Sequence, residues 1–164
     1  MYEVSRKEAF AAVVLIAIAL TAMAWAAMSV GTDAISGYNP TVTVNGVPNI
    51  GSVSKNSKGT ATRSNATTIP SGFTGTLEIK VALIDLGGLY ESMDQFTVVI
   101  CDNATSPTNV YAVLTLEEPV ATFTIDVSGS TVNLGMIVSW KAGSKVASSI
   151  KYAVAAEIVA AYPS

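Results

Sequence analysis

The chain has 164 residues, enough for one domain with a substantial core beside a short extra segment. Half of it is apolar, 13% is charged and the net charge is −3; no basic patch or stripe stands out, so a nucleic-acid partner gets no support. It has no histidine and one cysteine, Cys101, which excludes His-based triads, most zinc sites, haem attachment of the Cys-x-x-Cys-His kind and any intrachain disulfide.

Residues 1–8, MYEVSRKE, are mixed in charge, with Arg6 and Lys7 just before a long apolar run. Residues 9–30, AFAAVVLIAIALTAMAWAAMSV, carry no charge, and the charge-free run extends to Thr32. As a helix rising about 1.5 Å per residue, this run reaches roughly 30 Å, enough to cross a bilayer core. Three readings are open: a cleaved secretory signal, a permanent membrane anchor, or a helix buried in a polymer. The first fits the positive flank and the small residues near the end of the run, but a signal core is usually about 7–15 residues. Arg6 and Lys7 would stay cytoplasmic and send the remainder outward. Alanine dominates the run, from Ala9 to Ala27 and around the whole helix, and small residues let helices approach closely on several sides. Gly31 and then Gly37-Tyr38-Asn39-Pro40 predict that the helix ends within 31–36. The organisation expected is a hydrophobic helix over 1–35 and a head domain over 36–164.

From Thr41 the apolar period becomes two. Residues 41–47 alternate Val42 and Val44 with Thr41, Thr43 and Asn45, followed by the turn signals Asn45-Gly46 and Pro48-Asn49. Residues 51–75 are rich in Ser, Thr, Gly and Asn and read as loops with short edge strands. Residues 76–85 read as a strand with Leu77, Ile79, Val81 and Leu83 on one face, closed by Gly87-Gly88. Further strands are expected over 96–101, 110–116, 120–127 and 132–140, separated by Asp102-Asn103 with Pro107, by Glu117-Glu118-Pro119 and by Ser128-Gly129-Ser130. Residues 146–162 fit both a four-residue helical spacing (Val146, Ile150, Val154, Ile158) and strand alternation; a strand is preferred because it completes a sheet. Short strands with frequent turn signals predict a β-sandwich.

Charge is uneven. Residues 34–77 hold Lys55, Lys58 and Arg63 and no acid, whereas 78–140 hold eight acids against Lys80 alone. Solvated faces of one domain explain this, and so does complementarity between neighbouring copies. No catalytic constellation is found. Glu117-Glu118 sits in a turn beside Pro119, Asp85 and Asp94 lack the Asp-x-Asp-x-Asp calcium spacing, and no Lys-Ser/Thr follows Gly87-Gly88. Cys101 lies inside FTVVIC and reads as a small buried hydrophobe. Two sequons, Asn65-Ala66-Thr67 and Asn103-Ala104-Thr105, fall in polar, turn-rich segments, making Asn65 and Asn103 candidate N-glycosylation acceptors. No enzyme activity, cofactor or metal is expected.

The segment 8–18, EAFAAVVLIAI, resembles the N-terminal segment of archaeal type IV pilin-like proteins, the adhesive pilins and archaellins. In those families a short basic leader and an acid or small polar residue precede a long apolar helix, and a β-sandwich head follows. The resemblance covers about the first 35 residues in detail and the remainder only in architecture. It implies an α+β chain, with a long N-terminal hydrophobic α-helix followed by an all-β, Ig-like sandwich head. It also implies a self-partnering subunit of an extracellular, cell-surface filament, inserted in the membrane before assembly and handled by a prepilin peptidase and pilus assembly machinery. Glu8 is similar to the acid that begins the pilin helix. Under this resemblance Glu8, Phe10, Val13, Val14, Leu15, Ile16, Ile18, Leu20, Met23, Trp25 and Met28 pack in the filament core. Onset of β structure near Thr41 favours an adhesive pilin over an archaellin. Two further alternatives are a membrane-anchored monomeric Ig-like binding module and a secreted fibre joined by strand exchange.

Overall fold

A computed structural model describes residues 40–144 and 150–164. Eight strands and one short helix run in the order β1 (Thr43–Val44), β2 (Lys58–Ile69), β3 (Thr74–Ile84), α1 (Gly87–Ser92), β4 (Met93–Cys101), β5 (Val110–Thr115), β6 (Val120–Ser128), β7 (Val132–Ala142) and β8 (Ala153–Pro163). They form a five-stranded sheet of order β1-β2-β7-β4-β5 and a three-stranded sheet of order β6-β3-β8. Every pairing is antiparallel.

The expected α+β class is corrected. Of the described residues 59% lie in strands and 5% in a helix. That helix has six residues, and no helix among the described residues is long and apolar enough to cross a membrane. The stretch assigned to the hydrophobic helix, 1–35, lies outside the described residues.

Period-two alternation builds the core, because successive side chains on a strand point to opposite faces. On β3 the buried set is Leu77, Ile79, Val81 and Leu83, the face read from the sequence. Phe123 and Ile125 of β6 stand opposite Ile79 and Leu77 in the same sheet, and Phe96, Val98 and Ile100 of β4 and Leu134, Met136 and Val138 of β7 supply buried residues from the other sheet. Two aromatic pairs bridge the sheets. Phe96 on β4 meets Tyr152 edge-on, with ring centroids 5.0 Å apart, and Tyr111 on β5 meets Phe123 on β6 at 5.5 Å. The Tyr152 hydroxyl donates to the Pro48 carbonyl, tying the segment before β2 to the start of β8.

Two elements depart from the sequence reading. The stretch expected to hold loops with short edge strands, 51–75, contains the 12-residue strand β2. The first half of β2 buries neither face, so it has no apolar alternation to read. Its order comes from the backbone ladder with β7, which runs from Lys58 opposite Lys141 to Arg63 opposite Met136. Gly87-Gly88 opens a helix instead of closing a strand. Helix propensity opposes this; burial of Leu89 and the hydrogen bond from Tyr90 hydroxyl to the Leu116 carbonyl hold it. The C-terminal segment, which fits either spacing and for which a strand is preferred, agrees with that preference: it is the strand β8, paired along β3 from Ala153 opposite Ile84 to Pro163 opposite Gly75. Gly75 adopts φ +142, and a Cβ there would collide with the Tyr162 carbonyl oxygen, so only glycine permits this close approach.

Candidate functional site

The residues expected to pack in a filament core, Glu8 to Met28, lie outside the described residues. Among the described residues no group of three or more His, Cys, Asp and Glu side chains stands close enough to hold a metal ion. The acidic pair Glu117-Glu118 sits in the tight β5–β6 connection, where Thr115 N–H donates to the Glu118 carbonyl (3.0 Å) and Glu118 N–H to Thr115 Oγ1 (3.0 Å). Asp85 follows β3 in the left-handed region, φ +62, and Asp94 reaches Lys141 at 3.9 Å across exposed surface. Such an exposed pair contributes little. Cys101 is buried, and burial pushes its thiol above the ordinary range, so it is a core residue without thiolate character.

The two sequons remain, and the fold treats them differently. Asn65 sits in β2 at φ +53, inside the register shift between Arg63 and Thr67. Burial changes across the bulge: the residues before it are exposed or half-buried, and Ala66, next to Asn65, is buried. The backbone around it is held tightly. Asn45 N–H donates to the Ala66 carbonyl (2.8 Å), and Asn45 Nδ2 donates to the Asn65 carbonyl (3.0 Å) and to Thr68 Oγ1 (2.7 Å). The sequon's threonine, Thr67, is only 3% exposed, and its Oγ1 is buried with no hydrogen-bond partner.

Asn103 lies in the β4–β5 connection, which leaves the sheet directly after buried Cys101. Two side chains at its start fold this loop. Asp102 Oδ1 accepts from Thr108 N–H (2.9 Å), and Oδ2 accepts from Asn109 N–H (3.0 Å) and Asn109 Nδ2 (3.0 Å). These donors stabilise the ionised carboxylate, so its pKa is held below the usual aspartate range, with the Thr108 amide the leading cause. Asn103 Oδ1 accepts from Thr105 N–H (2.9 Å) and Ser106 N–H (3.3 Å), forming an Asx turn. Ala104 is buried against Gly135 on β7: a Cβ there would stand 2.6 Å from Ala104 N. The loop is therefore anchored at one small buried residue while Asn103 and Thr105 on either side are exposed.

The Asx turn and the Asp102 lattice were not read from the sequence, which marked Asp102-Asn103 only as a strand end. The available signal was the pair itself: adjacent Asp and Asn at the mouth of an eight-residue connection have acceptors for the loop's own amides. Outside the loops, Val110 and Val113 on the edge strand β5, and Tyr162 at the end of the edge strand β8, are exposed.

No protein-family model matches the chain, and no curated protein matches it.

Proposed function

We propose that the chain is a structural subunit of an extracellular, type IV pilus-like filament serving surface attachment. The apolar stretches of many copies gather in the filament interior, and the β domains form its outer surface. The single observation that carries this is the charge-free run from Ala9 to Thr32, followed in the same chain by a β domain. Such a run exposes on the order of 1,000 Å² of apolar surface once it leaves lipid. At about 25 cal/mol per Å² that is a gross drive of about 25 kcal/mol toward burial. Polymerisation buries that surface; in lipid, apolar segments gain little from meeting one another. The likeness of 8–18 to archaeal pilins and archaellins supports the same reading, with prepilin peptidase and assembly machinery as partners.

Electron microscopy of cell-surface material tests it: filaments that contain this chain are expected. A chain that extracts into detergent as monomers, with no filament, would instead be a membrane-anchored binding module. Deleting the chain separates attachment from motility, because loss of swimming would assign it to an archaellum.

A further inference from the structure

The fold makes one of its two sequons a usable acceptor and closes the other. We propose that Asn103, and not Asn65, is the N-glycosylation site of the folded domain, taking its glycan from a polyprenyl phosphate- or diphosphate-linked sugar.

The reaction forms a C–N bond between Asn Nδ2 and the anomeric carbon of the donor. The bond from that carbon to the phosphate oxygen breaks, and the polyprenyl phosphate or diphosphate leaves with the electron pair. Nδ2 gives up one proton to a base of the transferase, and nothing is oxidised or reduced. A carboxamide nitrogen is a poor nucleophile because its lone pair is delocalised into the carbonyl. Donors on Oδ1 favour the charge distribution that develops as the nitrogen loses its proton. Asn103 has two such donors already in place, the amides of Thr105 and Ser106. Among the described residues no hydrogen bond engages its Nδ2, so a glycan attached there leaves the turn intact.

An Asn-x-Ser/Thr acceptor also requires a hydroxyl two residues on. Thr105 is exposed and offers one. Thr67 does not: it is 3% exposed, its Oγ1 is buried, and the Asn65 and Ala66 carbonyls are tied to Asn45. A transferase that must bind both groups reaches Asn103 on the intact domain and reaches Asn65 only after β2 leaves β7.

The proposal rests on the reading of an exported domain, but its test runs in vitro and so succeeds or fails apart from filament formation. The purified full chain, in mild detergent, is treated with an oligosaccharyltransferase and its polyprenyl diphosphate-linked glycan, and acceptor peptides are read by mass spectrometry. The glycan is expected on the peptide containing Asn103, with at least ten-fold less on that containing Asn65. Thr105→Ala is expected to lose the modification, and Thr105→Ser to keep it. Both Asn65 and Asn103 are expected to be modified when the chain is first unfolded in urea and diluted into the reaction. Equal or greater transfer to Asn65 in the folded chain, no transfer to Asn103, or an Asn65 that stays unmodified after unfolding would overturn the proposal.

Discussion

Asp102 organises the β4–β5 loop through three hydrogen bonds to one carboxylate, and its titration sets the loop's response to acid. Its folded pKa is depressed, so the stabilisation is present above the unfolded aspartate value, about 3.9, and is lost as pH falls through the lower folded value. Protection factors of the Thr108 and Asn109 amides, taken against intrinsic exchange at each pH, should therefore be flat at neutral pH and fall, relative to the core, in acid below about pH 4. Asp102→Ala should show that loss of protection already at pH 7. Unchanged exchange in the variant would mean the carboxylate does not hold the loop. The pair Asp102-Asn103 shows how much of the candidate site was legible. The sequon is written in the sequence; the partners of its side chain are not, because each depends on how far a loop amide folds back. Likewise nothing in Asn65-Ala66-Thr67 announces that its threonine is buried, since that follows from where the bulge falls.

At the scale of elements, strands with strong alternation were legible and those without were not. Strand β3, with Leu77, Ile79, Val81 and Leu83 buried, and strand β7, with Leu134, Met136 and Val138 buried, carry their own signal. Strand β2 does not: its first half lies exposed on the ladder of β7 and draws its order from that partner. Helix α1 forms against the propensity of Gly87 and Gly88 because Leu89 and Tyr90 have tertiary partners. The long helix expected over 9–30 falls outside the described residues, so the molecule described is a β structure. Phe96 makes one of the two aromatic contacts between the sheets, edge-on with Tyr152. Phe96→Ala leaves a cavity between the sheets and is expected to cost about 3–5 kcal/mol in denaturant unfolding. A cost below about 1 kcal/mol would show that the contact does not join the sheets.

At the scale of the whole molecule, the charges divide by stretch, with Lys55, Lys58 and Arg63 ahead of eight acids in 78–140. If copies meet through opposite patches, raising salt from about 0.05 M to 1 M shortens the Debye length several-fold, from over 10 Å to about 3 Å, and should promote dissociation of the assembly. An assembly indifferent to salt would leave these charges as solvated faces of one domain.

On the filament proposal, residues 9–30 drive polymerisation and the β domain does not. Electron microscopy of the assembled full chain, beside the same chain with 1–33 deleted, separates the two contributions. Filaments are expected from the full chain, with the apolar stretch in the interior of a helical reconstruction, and monomers from the deletion. Monomers in detergent from both, or filaments from the deletion, would overturn the proposal.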